Sequence, residues 1–196
     1  MAQSFLVDTP EPAKDHFDAR NDLELIAAIN RGDAAAFEAL YFRYREWVVG
    51  LAHRFTGDSD SALDVTQETF LYFLRKFPGF RLTASLKTFL YPAVRNLSIA
   101  ARHKAGRYQA TEADLEQLEH TVAPDQAEAG ASDLAVVLAR LSEEHREVLL
   151  LRFMDGLSLA EIAQATEIPL GTVKSRLHNA LEVLRQDEHT KEFFER

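Results

Sequence analysis

Ser158-Leu-Ala-Glu-Ile-Ala-Gln-Ala165, then Thr166-Glu-Ile-Pro169, then Thr172-Val-Lys-Ser-Arg-Leu-His-Asn-Ala-Leu-Glu-Val-Leu-Arg-Gln186 decides the fold. Ser158 and Glu161 stand three apart, the spacing at which each side chain caps the other's backbone N–H at a helix start. Ile162 and Ala163 give that helix an apolar face, and Thr166 to Pro169 interrupts it. In the second helix Val173, Leu177, Leu181 and Leu184 recur on one side. Two helices joined by so short a turn form the frame that sets a recognition helix in the major groove of DNA. With the apolar side inward, Thr172, Lys174, Ser175, Arg176, His178 and Asn179 face outward. Hydroxyls and cations near a helix N-terminus suit phosphate and base-edge contacts.

Working outward, every other periodic stretch also reads as helix, and no strand-like alternation is found. Asp22 is expected to cap a short helix ending near Gly32, and Asp33 the next, which Thr56-Gly57-Asp58 stops. Asp60 or Ser61 opens a third helix, with Leu63, Phe70, Leu71 and Leu74 on it, running to Lys76. Pro78-Gly79 breaks the chain, and a fourth helix is expected from about Ala84 to His103. Pro92 lies inside that helix, removes an N–H and is expected to kink or break it, at roughly 3 kcal/mol. Ser132 and Ser142 are expected to cap two further helices, the second closed by Gly156. The expected fold is all-α: a tail (1–20), a helical domain (21–110), an acidic linker (111–131), a second helical domain (132–188) and a tail (189–196).

The 196 residues carry a net charge of −9, which taken alone opposes nucleic-acid binding. Its distribution reverses that inference. From Pro78 to Ala110 there are six basic residues (Arg81, Lys87, Arg95, Arg102, Lys104, Arg107) and no acid. From Thr111 to Asp133 there are seven acids and no Lys or Arg; with Pro124 and Gly130, that stretch reads as a solvated tether. The alternative reading is that those acids thread a basic channel of a partner, or mute DNA binding by the free chain. Cysteine is absent, which excludes disulfides and thiolate metal sites and fits a reducing cytoplasm. No apolar run approaches the roughly 18 residues a membrane helix needs. The N-terminus, with Asp8, Glu11, Asp15 and Asp18, is not a secretory signal. Seven histidines are scattered, and neither a nucleophile constellation nor a Gly-rich phosphate loop is visible, so no catalysis, metal or cofactor is expected.

Two motif sets carry a family resemblance. Leu141-Ser-Glu-Glu-His-Arg-Glu-Val-Leu-Leu-Leu-Arg-Phe-Met-Asp-Gly-Leu-Ser-Leu-Ala-Glu-Ile-Ala163 with Ile168-Pro-Leu-Gly-Thr-Val-Lys-Ser-Arg-Leu-His-Asn-Ala180 resembles region 4 of the sigma-70 family, the extracytoplasmic-function (ECF) group above all. Gly32-Asp-Ala-Ala-Ala-Phe-Glu-Ala-Leu-Tyr41, Asp64-Val-Thr-Gln-Glu-Thr-Phe70, Phe89-Leu-Tyr91 and Arg95-Asn96 resemble region 2, in the right order.

The resemblance covers residues 21–186 and implies a non-enzymatic factor that binds core RNA polymerase, at its β′ coiled coil and β flap, and chooses where transcription starts. By the same resemblance, Asp64, Gln67 and Glu68 dock on the β′ coiled coil. The loop Phe80 to Ser85, with Arg81 and Thr83, holds a flipped −10 base, whose unpairing costs a few kcal/mol. Lys87, Arg95, Asn96, Arg102 and Lys104 meet the strand backbone, and Tyr91 is a candidate for base stacking, with Phe89 assigned to the core. Thr172, Lys174, Ser175, Arg176 and His178 read the duplex −35 element. An anti-sigma factor is a further implied partner. Phe89 stands where Trp is common, and Asn179 where Arg is frequent. A DNA-binding regulator acting without polymerase, or a sigma-like decoy, would use the same helices. The first needs tight binding by the chain alone, and no added dimerisation helix is seen.

Overall fold

The structure, a computed structural model, describes residues 18–113 and 133–187. Among the described residues there are eight helices and no strand. The tail at 189–196, most of the tail at 1–20, linker residues 114–131 and the Ser132 cap lie outside them.

Helix α1 (Asp22–Ile29) is capped by Asn21 rather than Asp22. Asn21 Oδ1 accepts from Glu24 N at 3.0 Å and Glu24 returns a contact to Asn21 N at 2.7 Å, a reciprocal box that satisfies two end N–H groups. Asp22, in the first turn, takes instead Arg43 at 2.7 Å and the Tyr44 hydroxyl. Helix α2 (Ala34–Thr56) begins at the expected Asp33 cap and ends at Gly57, whose φ of 72° needs a residue without a Cβ. Helix α3 (Ser59–Leu74) starts earlier than expected, because the Asp58 carboxylate accepts from Ser61 N at 2.7 Å and takes the capping role from Asp60 and Ser61. That hydrogen bond is the first cause holding the Asp58 carboxyl below its ordinary pKa.

Helix α4 (Leu86–Ala113) is the long spine of the molecule, and its bounds differ from those expected. It starts two residues later than Ala84 and runs ten beyond His103 to residue 113, into the first three residues assigned to the linker. It also continues through Pro92, so of the kink or break expected there the break does not occur. The lost hydrogen bond costs roughly 3 kcal/mol. Leu90, Tyr91 and Val94 around it are fully buried. At about 1.5–3 kcal/mol for each such side chain, packing outweighs the proline.

Helices α1 to α4 surround Leu25, Leu40, Val48, Phe73, Leu86 and Leu90, all buried. Phe73 is the hub of a ring cluster, with centroids of Phe77, Phe80 and Phe89 at 5.2, 5.4 and 5.8 Å. The C-terminal lobe comprises α5 (Asp133–Arg140), α6 (Glu143–Phe153), α7 (Leu159–Thr166) and α8 (Leu170–Gln186). Arg146 closes the end of α5 by donating to the carbonyls of Leu138, Ala139 and Leu141 at 2.8 to 3.1 Å, acceptors at the helix end. Val137, Leu141, Leu149, Ala180 and Leu184 form a small core where α5, α6 and α8 meet. Val148, Leu151, Leu157, Ile162 and Val173 belong instead to the same apolar cluster as the N-terminal lobe, so the two lobes share one core.

Candidate nucleic-acid interface

The two-helix unit is built as its sequence demands. Glu161 N donates to Ser158 Oγ at 3.2 Å and Ser158 N to Glu161 Oε2 at 2.9 Å, closing the expected box at the start of α7. Ile162 and Ala165 are buried. The helix ends at Glu167, a non-glycine residue with φ 58°, whose N–H reaches Ala163 O. Pro169 is the N-cap of α8, which begins at Leu170, two residues ahead of the expected start at Thr172. Val173, Ala180 and Leu184 face inward. Lys174, Ser175, His178 and Asn179 are exposed together, a polar face one to two turns long. Thr172 is half-buried, its carbonyl accepting from Ser175 Oγ at 3.0 Å. Arg176 is also half-buried and pairs with Glu144 of α6 at 2.7 Å.

The 80–85 loop has an anchor that sequence reasoning missed. Asn30, at the end of α1, accepts from Gly79 N at 2.6 Å and Phe80 N at 3.1 Å and donates to Phe80 O at 2.9 Å. One amide side chain thus fixes the backbone entering the loop. Arg81 and Thr83 are exposed on it. Phe80 is half-buried, its ring 4.7 Å from Phe89, so it serves as the floor of the loop. Ser85 Oγ lies 2.8 Å from Thr88 Oγ1 at the start of α4.

Along α4 the candidates divide. Arg95, Asn96, Arg102 and Lys104 are exposed. Lys87 Nζ donates to the Asp155 carbonyl at 2.7 Å and lies 5.5 Å from the Trp47 ring centre, within cation–π range. Arg95 pairs with Glu147 of α6 at 3.3 Å. Tyr91 is fully buried and donates its hydroxyl to Glu147, so its ring is not presented for stacking. Burial first, and the Glu147 charge second, push the Tyr91 phenol far above its ordinary pKa. The reason is the C-terminal lobe, which lies against this side of α4.

Asp155, between α6 and α7, is the centre of that contact. Its carboxylate is almost wholly buried and accepts from Trp47 Nε1 and Arg54 Nη2 of α2, each at 2.7 Å. A buried carboxylate is tolerated only when paired and hydrogen-bonded in this way. Ser85 is also the first cause lowering the Glu161 pKa, ahead of the Ser158 contacts. Trp47, Arg54, Glu147 and Asp155 had no sequence signal, because their partners lie up to 108 residues away.

On the opposite side of the N-terminal lobe, Asp64, Gln67 and Glu68 are exposed along α3. Asp64 and Glu68 border a groove with Lys104 and the small residues Ala100, Ala101 and Ala105 of α4. Leu63, Leu71, Tyr72 and Leu74 are exposed on the same helix, an unusual density of apolar surface. Among the described residues no group of three or more His, Asp or Glu side chains is arranged to hold a metal ion, and no helix is long and apolar enough to cross a membrane.

A capped helix-turn-helix with a second basic helix surface is an architecture that DNA-directed factors of transcription use. Residues 40–108 match the family described as Sigma-70 region 2 and residues 137–186 match Sigma-70, region 4. RNA polymerase sigma-H factor of Pseudomonas aeruginosa is 31% identical over 179 residues, covering 83% of this chain and 91% of that one. ECF RNA polymerase sigma factor SigL of Mycobacterium tuberculosis is 36% identical over 157 residues, covering 78% and 89%. The solved sigma factor RpoE of Bartonella quintana, in complex with the anti-sigma factor NepR, superposes with a TM-score of 0.56 at 27% identity, covering 76% of this chain and 94% of that one. The chain belongs to the sigma-70 family, in its ECF group, and is a non-enzymatic factor of transcription initiation.

Proposed function

We propose that the chain works in the cytoplasm as two functional units, residues 21–110 and 132–188, joined by the acidic linker at 111–131 and presented to promoter DNA by core RNA polymerase. In this reading Asp64, Gln67 and Glu68 dock α3 on the polymerase β′ coiled coil, and the C-terminal unit meets the β flap. The observation that carries the reading is the exposed face Lys174, Ser175 and His178 on α8, held by an intact capping box and turned away from both cores. Lys174 and Arg176 contribute charge-assisted contacts to phosphate or guanine edges of the −35 element, with Thr172, Ser175 and His178 beside them. The loop bearing Phe80, Arg81, Thr83 and Ser85 receives an unpaired −10 base. Lys87, Arg95, Asn96 and Arg102 follow the strand, since backbone tracking by cations needs no base order. An anti-sigma factor restrains the chain until it is needed, a partner of the kind named for the Bartonella relative.

The test is run-off transcription with core polymerase over a promoter library. Promoter-specific starts that need this chain are expected, with weak duplex binding by the chain alone. Tight specific binding without polymerase would instead make it a regulator of another kind. Polymerase binding that never changes the start sites used would make it a decoy.

A further inference from the structure

The inner side of α3 is spent on its own core, through Val65, Phe70 and Phe73. Its outer side carries Leu63, Leu71 and Leu74 at 43, 51 and 43% exposure, a density of apolar surface that marks a contact site rather than a solvated helix. Tyr72 is not part of that side, since its ring stacks on Phe89 at 6.0 Å and lies under Lys76. Asp64, Gln67, Glu68 and Arg75 are exposed with the leucines. Among the described residues no ion pair uses Asp64, Glu68 or Arg75. At about 100° per residue these positions fall into three rows. Gln67 and Leu71 run down the middle, Leu63 and Leu74 along one flank, and Asp64 and Arg75 along the other.

The rows are self-complementary. A two-fold axis crossing α3 near residue 69 lays it antiparallel against a second copy of itself and keeps each flank facing its own counterpart. Leu63 then meets Leu74 of the copy, Gln67 meets Leu71, and Asp64 meets Arg75, because all three pairs are centred within half a residue of position 69. One register thus satisfies the apolar row, the middle row and the charges together, and each pair is made twice. A parallel pairing would set Asp64 against Asp64 and Arg75 against Arg75. Glu68 lies at the rim, where water and salt screen it from its copy. We propose that free chains pair through α3 in this antiparallel register, so that a second copy covers the face until polymerase takes it. The pairing stands on α3 itself, whereas what it covers rests on the docking role that the proposed function gives to Asp64, Gln67 and Glu68. A helix of 16 residues is about 24 Å long and about 10–12 Å across. The patch therefore falls short of the roughly 800 Å² per partner of a stable interface. At that size the dimer is reversible, with a dissociation constant of about 1–100 µM, weak enough to yield to polymerase. The leucines supply the affinity, and the exposed ion pairs fix direction and register.

Sedimentation velocity of the chain alone, from about 1 to 200 µM, should show one boundary moving from monomer toward dimer. A monomer at every concentration would overturn the pairing and leave this face to polymerase or an anti-sigma factor. Exchanging charges tests the register. Asp64→Arg and Arg75→Asp should each keep the helical circular dichroism and each weaken self-association about tenfold, since like charges then face each other at both ends. An equal mixture of the two variants should dimerise again, because every facing pair is then opposite in sign. No recovery in the mixture would overturn the antiparallel register. Should either variant lose its helicity, Leu71→Ser decides in its place, because that side chain is exposed and no core requires it. It should move the equilibrium about tenfold toward monomer, and an unchanged equilibrium would overturn the pairing. Core polymerase added in equal amount to the dimer should give complexes holding one chain each. Complexes that keep the pair intact would overturn the covering role and, with it, the docking of α3 on polymerase. Loss of promoter-specific transcripts from the wild-type chain would instead sink the proposed function, and the sedimentation series would still judge the pairing.

Discussion

The outward face of α8 and the basic side of α4 look alike in sequence, each a helix carrying cations and hydroxyls between apolar positions. In the folded chain they differ. Lys174, Ser175 and His178 are exposed, Ser175 bonding only within its own helix turn, and Arg176 is partnered by Glu144 within its own lobe. Lys87, Tyr91 and Arg95 are all partnered, and by the other lobe. Helical periodicity tells which side of a helix faces its own core. It is silent about a second body that lies against the polar side. The outward face of α8 is therefore exposed as soon as the chain folds, whereas the basic side of α4 depends on how the lobes are disposed.

If both lobes draw on one apolar cluster, damage in one should be felt in the other. Phe73→Ala removes the hub of the ring cluster and should cost about 3–5 kcal/mol. Helical circular dichroism and Trp47 emission should then fall together in one transition, with its midpoint lowered. Two separate transitions would show that the lobes do not share a core, and the contrast between a free face and a covered face would lose its basis.

The two cations of α8 test the open face itself. In holoenzyme, Lys174→Ala should reduce the salt slope of promoter binding by about one if the side chain meets a phosphate, or cost about 1–3 kcal/mol at one base pair if it meets a base edge. Arg176→Ala should cost less, because the guanidinium must first leave Glu144. Equal losses at the two positions would mean that the Glu144 pair is already open. No loss from the double substitution would remove α8 from promoter recognition. A smaller effect is expected from Ser158→Ala, which takes away an N-cap and should lower unfolding stability by about 1 kcal/mol, read by thermal melting.

Local chemistry made much of this legible. The Asp33, Ser142 and Ser158 caps, the Gly57 stop and the helix-turn-helix follow from side chains that act within four residues of themselves. Even the misplaced caps were readable. Asn21 stands three residues before Glu24, the capping-box spacing, and Asp58 three before Ser61. At Pro92 the helix continues, because the burial of Leu90, Tyr91 and Val94 around it outweighs the lost hydrogen bond. Tyr91, a stacking candidate by resemblance, is buried against Glu147 of the other lobe, a contact that spacing along α4 does not show. Asn30 and Asp155 had no legible role, since an amide 50 residues from its loop and a carboxylate 108 residues from its tryptophan leave no pattern in the chain.

The smallest effect isolates a charge at the boundary between the two faces. Glu161 completes the α7 cap and is held below its ordinary carboxylate pKa, first by Ser85 across the lobe boundary and then by Ser158. A carboxylate depressed in the folded state binds its proton more readily when unfolded. Its contribution is therefore complete above the unfolded value, about 4.3, and is lost as pH falls through the lower folded value. Glu161→Gln keeps the reciprocal hydrogen bond of the cap but removes the charge. At neutral pH the variant should be less stable by about 0.3–1 kcal/mol, the ordinary worth of a carboxylate in a first helical turn. Below the folded pKa of Glu161 the two proteins should melt alike. Melting curves of the pair between pH 7 and 3 check this. A gap that persists unchanged to the acid end would mean that packing, rather than ionisation, is what Glu161 supplies where the covered side of α4 meets the helix-turn-helix.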